Sequence, residues 1–264
     1  MRMRILIIAV VAAVAVQTAG AQDSDNVLHA AADALGMLRG VLEEDSLSTI
    51  QYEGSGFVYA FDQALRPGMP PTAFKLTRYK AGINYDVPGM RVDFDRTNPD
   101  GVVRQIQVVA EKFAWNEAQP GMNATPAQGT FNDRLLQLWM TPPGVIKAAR
   151  QAGANVKVTV ERGATVITTP VPGLIGKTMK ATLNTENLIE RVEAPTYNPV
   201  LGDTLIETTY SDYKDLGGEL YPSDVLFPTR IVQKMGGHPV LDLTITKGNT
   251  YNPYVVFPLP ENVK

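Results

Sequence analysis

Cysteine is absent from this chain of 264 residues, and histidine nearly so, with His29 and His238 as the only two. No disulfide, thiol nucleophile, thiolate metal site or cysteine-linked lipid is available. Two histidines far apart in the chain cannot supply a polyhistidine centre of the kind that activates water in metallohydrolases. No H-E-x-x-H, P-loop or G-x-S-x-G elbow occurs; Gly54-Ser55-Gly56 has the wrong spacing and reads as a strand bulge. No block of like charge interrupts the chain, and 24 basic residues face 27 acidic ones, a balance that argues against nucleic acid and against a polybasic membrane patch. No cofactor is expected.

What is present begins with an export signal. Arg2 and Arg4 precede the apolar run Ile5 to Val16, and Thr18-Ala19-Gly20-Ala21 offers small residues at both positions a processing enzyme reads before Gln22. The run is shorter than the roughly 20 residues that cross a bilayer. The expected layout is a signal peptide over 1–21 and a single domain over 22–264, periplasmic or secreted, with no transmembrane anchor after cleavage. Losing Arg2 and Arg4 leaves 22 basic residues against 27 acidic, a net of −5.

With 44% hydrophobic and 19% charged residues, the remainder has the composition of a globular protein. A first helix is expected from a cap at Asp25 or Asn26, with Leu28, Ala31, Leu35, Leu38 and Leu42 as its buried stripe. From Leu47 the period becomes two: Met90, Val92 and Phe94 alternate with Arg91, Asp93 and Asp95, and Leu241, Leu243 and Ile245 with Asp242, Thr244 and Thr246. Further runs at 49–61, 72–85, 103–115, 156–161, 178–183, 188–194, 205–213 and 229–234 bring the expectation to about ten strands. Short links favour antiparallel pairing.

Inside the strands lies one helical interruption. After a loop over 119–129, Thr130 is expected to cap a segment carrying Leu135, Leu138 and Trp139, which Pro142-Pro143 breaks before a second short helix to Ala152. His29 and His238 read as rim and turn residues. Asp93 and Asp95 read as the wet side of a strand, and Asp212 and Asp215 as flanking a turn, not as acids converging across a cleft.

The phrases Tyr210-Ser211-Asp212-Tyr213 and Phe227-Pro228-Thr229-Arg230-Ile231 resemble the C-terminal part of the LolA/LppX-like lipoprotein-carrier fold of the periplasm. The resemblance implies an α+β architecture: a strongly curved antiparallel sheet, an incomplete β-barrel, wrapped around the N-terminal helix and the kinked mid-chain helical pair, with room for acyl chains. Closer still is a likeness to the exported N-terminal region that precedes some bacterial metallo-β-lactamase-fold hydrolases, carried by 50–56, 107–109 with 114–116, 198–203 and 237–244. Glu219 to Asp224 departs from it as an insertion, and the catalytic domain with its histidine cluster is missing.

These readings make the chain a non-catalytic binding or carrier domain for an apolar lipid or lipoprotein acyl ligand, with Phe113, Trp115, Leu138, Trp139 and Met140 as candidate wall residues. The alternative is a stand-alone accessory module acting with a partner enzyme or envelope protein. An unrecognised carboxylate hydrolase ranks third.

Export is expected to cleave after Ala21, and the intact mass of protein recovered from the periplasm checks it. An uncleaved N-terminus would refute this reading.

Overall fold

The computed structural model describes residues 16–61, 70–217 and 223–264. The basic start, the apolar run through Ala15, Gly218 and residues 219–222 of the insertion lie outside the described residues.

Helix α1 (Val16–Ala34) runs straight through Asp25 and Asn26, so neither caps it. It buries Leu28, Ala31 and Leu35. It ends because Gly36 takes a φ of +69°, with the Met37 N–H donating to the Ala32 carbonyl and the Gly36 N–H to that of Asp33. That pairing is a Schellman cap, with buried Met37 as its apolar residue. The expected stripe therefore fails beyond Leu35. Leu38 sits on strand β1 (Leu38–Arg39), paired with β2 (Glu44–Asp45), and Leu42 is 80% exposed in the hairpin between them.

Thirteen further strands form one antiparallel sheet, where the sequence suggests about ten. In chain order they are β3 (Thr49–Ala60), β4 (Thr72–Asn84), β5 (Gly89–Asn98), β6 (Gly101–Ala110), β7 (Phe113–Gln119) and β8 (Met122–Pro126), then, after the helices, β9 (Lys157–Glu161), β10 (Ala164–Pro170), β11 (Thr178–Leu183), β12 (Ile189–Asn198), β13 (Gly202–Asp215), β14 (Leu226–Met235) and β15 (His238–Asn249). The apolar run 103–115 divides because Glu111 adopts a φ of +54° and reverses the chain into β7. Strand β10 escapes a period-two reading because Val166 and Ile167 are both buried, one on each face.

Consecutive strands pair throughout each half, and β3 joins β15, so β8 and β9 are left as free edges. The sheet is unclosed but strongly wrapped. Gln107 on β6 and Thr196 on β12 lie seven strand steps apart yet line one cavity of about 250 Å³; on a flat sheet about 34 Å would separate them, at about 4.8 Å per step. The expected bulge at Gly54 to Gly56 is present as a register shift against β4, and a Cβ on Gly54 would come within 2.2 Å of the Thr244 carbonyl oxygen.

The concave face holds the main core, closed by α1, α2 (Phe131–Trp139) and α3 (Pro142–Ala152). Thr130 does not cap α2 through its side chain; its hydroxyl donates to the Ala127 carbonyl at 2.8 Å instead. Pro142 and Pro143 do not stand between the two helices but open α3 as its first residues, where a missing N–H costs no hydrogen bond. Tyr52, Tyr79, Phe94 and Phe227 form an aromatic floor, with centroid spacings from 4.9 to 6.3 Å. A smaller cluster, Ile106, Val108, Ala110, Trp115 and Val263, occupies the convex face under the C-terminal segment.

The convex side of β4 to β6 corrects one expectation. Asp93 is not simply wet: it is 6% exposed, gripped by Arg78 Nη2 at 2.7 Å and Arg104 Nη2 at 2.6 Å, while Asp95 accepts from Arg78 Nε at 2.9 Å. Burial raises the Asp93 pKa, but the hydrogen bonds from Arg104 and Arg78 outweigh it and hold the carboxyl at about 2.

Two outcomes follow from this geometry. Gly36→Ala should lose about 2–4 kcal/mol in urea unfolding, because its Cβ would fall 1.7 Å from the Asp224 carbonyl oxygen. Gly40→Ala, at φ +73° with nothing within 4 Å, should lose only about 1 kcal/mol; equal losses would contradict the packing. Because the folded pKa of Asp93 lies below its unfolded value of 3.8, its contribution is present above that pH and is lost as pH falls through 2. The stability gap between wild type and Asp93→Asn should therefore shrink between about pH 4 and 2, by on the order of 1 kcal/mol after screening at the half-exposed arginines. A gap constant across that window would rule out the ion-pair account.

Candidate functional site

The two ends of the half-barrel differ. One is closed by the β1–β2 hairpin and by the C-terminal segment, whose Asn252 and Val255 carbonyls accept from Thr49 Oγ1 and Asn84 Nδ2, both at 2.9 Å. At the other end the strands outrun the helices. Side-chain alternation aims Val58 on β3, Phe74 on β4, Ile206 on β13, Met235 on β14 and Leu241 on β15 at the concave side, and all five are only partly buried. Apolar side chains in this state are unusual on a face whose other half is dry.

Helix α2 crosses this mouth. The 250 Å³ cavity lies between its first turns and the two limbs of the sheet, lined by Leu136, Ile206 and Met235 with Gln107, Gln137 and Gln233 among its polar groups. Arg134 is the anchor: it is 6% exposed, and its Nη1 donates to the Val108 carbonyl at 3.0 Å and the Trp115 carbonyl at 2.6 Å, its Nη2 to Asn116 Oδ1 at 2.6 Å. Burial pulls its pKa down to about 10, so it remains a cation at neutral pH, one consumed in pinning α2 to β6 and β7. Asp133 beside it has its pKa raised by burial, opposed by Lys177. Nothing here pairs a nucleophile with a base. Thr130, Asp133, Arg134 and Thr196 complete the lining.

The five candidate wall residues do not form one wall. Trp115 is fully buried in the convex cluster with Phe113 beside it, its Nε1 donating to Glu117 Oε1 at 3.0 Å. Glu117 in turn holds Arg91 at 2.9 Å and the Gly121 N–H at 2.7 Å. Leu138, Trp139 and Met140 lie across the sheet in the main core, and the Trp139 Nε1 is buried without a partner among the described residues. Periodicity misses Ile206, Gln233 and Met235 because they lie past the well-covered part of their strands. Leu205, next to Ile206, is 52% exposed, so the pair shows no clean apolar alternation.

The other titratable candidates are occupied locally. His29 Nε2 meets Glu43 Oε2 at 2.9 Å, and the His238 ring lies edge-on to Phe61 at 5.9 Å. Asp215 accepts from the Gly217 and Asp224 N–H groups and from the Ser223 hydroxyl at 2.7 to 2.9 Å, which ties the neck of the β13–β14 loop. On the convex face, a broad depression of about 820 Å³ over β9 to β13 carries charges of both signs, with Arg191 set between Glu193 and Glu207 at 3.5 and 3.7 Å. Among the described residues no helix is long and apolar enough to cross a membrane.

No protein-family model matches the chain, and no curated protein does either. Solved structures similar to it include a putative outer membrane lipoprotein-sorting protein domain from Vibrio parahaemolyticus, at 10% identity and a TM-score of 0.45 over 90% of this chain and 96% of the other. A LolA superfamily protein from Nitrosomonas europaea is similar at 13% identity and a TM-score of 0.44, over 90% and 96% of the two chains. LprF from Mycobacterium bovis is similar at 12% identity and a TM-score of 0.28, over 89% and 98%.

Proposed function

We propose that this chain is an exported, non-catalytic binding domain that takes an apolar acyl-type ligand into the mouth of its half-barrel. The observation that carries the reading is the set of partly buried apolar side chains, Val58, Phe74, Ile206, Met235 and Leu241, on a concave face that the helices cover fully at the other end and only in part here, where α2 crosses. A ligand chain laid there removes apolar surface from water that the fold itself leaves partly wet, at about 25 cal/mol per Å². The cavity beside Leu136 receives its end. The likeness of the C-terminal phrases to a lipoprotein-carrier fold points the same way.

A second reading, an accessory module that acts with a partner enzyme or envelope component, is supported by Tyr197, Val200 and Leu205, which are 64%, 62% and 52% exposed around the β12–β13 turn. The two readings separate by ligand. A carrier retains lipid after purification, and organic extraction with native mass spectrometry detects it.

A fluorescent fatty acid should bind the processed protein and lose at least about tenfold in affinity on Ile206→Glu or Met235→Glu, since a buried charge in an apolar wall is costly to desolvate. The outward Asp203→Asn should bind like wild type. Zinc should neither raise the melting temperature nor elicit ester or β-lactam hydrolysis, because a ligand that does not bind the native state adds no stability. Folded mouth variants that bind as wild type does, or zinc-dependent turnover, would overturn the proposal.

A further inference from the structure

Strand β5 sends Met90, Val92 and Phe94 into the core, and the same row continues as Arg96 and Asn98 toward the open end. Both are partly buried, on the row that continues Phe94 toward the open end. A charge in such a place is costly unless something compensates it. Arginines on the other face of these strands have their carboxylates: Arg78 and Arg104 share Asp93, Arg91 has Glu117 and Arg230 has Asp242. Arg96 has none among the described residues. Its guanidinium lies over the Phe74 ring, 4.6 Å from the centroid, and its Nε is buried with no hydrogen-bond acceptor among the described residues. Asn98 Oδ1, the next group along the row, is likewise buried with no donor among the described residues.

We infer that Arg96 and Asn98 form the headgroup site for the amphiphile whose chain occupies the mouth, and that this headgroup is anionic and carries a hydroxyl. The inference rests on the acyl-ligand reading and adds the chemistry of the polar end. An anionic oxygen accepts from Arg96 Nε, and a hydroxyl donates to Asn98 Oδ1, so one headgroup satisfies both unmatched atoms, and a charge-assisted bond is the stronger of the two. Val92 is paired with Gln107, which lines the cavity, and Arg96 stands four residues farther along β5, about 13 Å at ~3.3 Å per residue. Between them lie Phe94 and, across from Arg96 on β4, Leu76. A headgroup at the rim thus stands at the head of the strand row that runs toward the cavity.

Three ligands with the same eighteen-carbon monounsaturated chain test this by titration calorimetry: lysophosphatidylglycerol has both charge and hydroxyls, oleate has charge alone, and monoolein has hydroxyls alone. The expected order of affinity is that order, with about tenfold or more between the first and the last. Arg96→Gln should bring lysophosphatidylglycerol to the level of monoolein while leaving monoolein within about twofold, the loss of a single charge-assisted bond. Arg96→Met, which keeps the stem over Phe74, serves as the second variant if Gln perturbs folding. Asn98→Ala should erase the advantage of lysophosphatidylglycerol over oleate. Equal wild-type affinities, or an Arg96 variant that weakens all three alike, would overturn the headgroup site and leave the acyl reading standing. Binding of none of the three would overturn both.

Discussion

An antiparallel sheet of thirteen strands that does not close has one large face to bury, and three helices supply enough apolar surface for only part of it. The sheet responds by wrapping, which brings β6 and β12 to the two sides of α2. Everything else in the molecule depends on that mismatch of areas. At the end where α1, α3 and the β1–β2 hairpin lie, side chains such as Leu35, Ile50 and Ile83 have no exposed surface. Where the strands outrun the helices the same face is left half wet at five large apolar groups, Val58, Phe74, Ile206, Met235 and Leu241.

Wrapping also needs a frame that resists bending, and the convex side provides it with charge. Asp93 between two guanidiniums ties β4, β5 and β6, and Glu117 ties Arg91, Trp115 and the β7–β8 turn. These carboxylates are nearly buried and fully engaged, so they act as cross-strand ties and have no free lone pairs for acid–base work. Arg134 performs the equivalent task inside, exchanging water for three backbone and amide oxygens and fixing the angle at which α2 crosses the mouth. Arg96 differs from all of these in having no such partner among the described residues.

Tryptophan shows how far apart two similar signals can end. Trp115 and Trp139 both read from sequence as apolar wall, yet the first staples the C-terminal segment to the convex face and the second fills the core beneath α2. An apolar residue on a strand announces that one face is covered. It does not say by what: helix, tail or ligand.

The sequence by itself determined the classes of chemistry that are closed, through two histidines and no cysteine, and it determined the local grammar. The Met90–Phe94 alternation, the prolines at 142 and 143 and the glycines at 54 and 56 each act through the φ, ψ and side-chain direction of a few neighbouring residues, and each has its expected counterpart in a strand, a helix break and a bulge. The end of α1 was locally encoded as well, in Gly36, although the apolar spacing out to Leu42 spoke for a longer helix. Tertiary structure decided what depends on distant surfaces meeting: that Asp93 is clasped and not wet, that Val166 and Ile167 are covered on opposite faces, that Ile206 and Met235 face a cavity shared with Gln107. The period-two row of β5 already placed Arg96 on the inward side, but whether that side is dry, wet or paired at a given residue is set by how far the helices reach, and no local pattern carries that length.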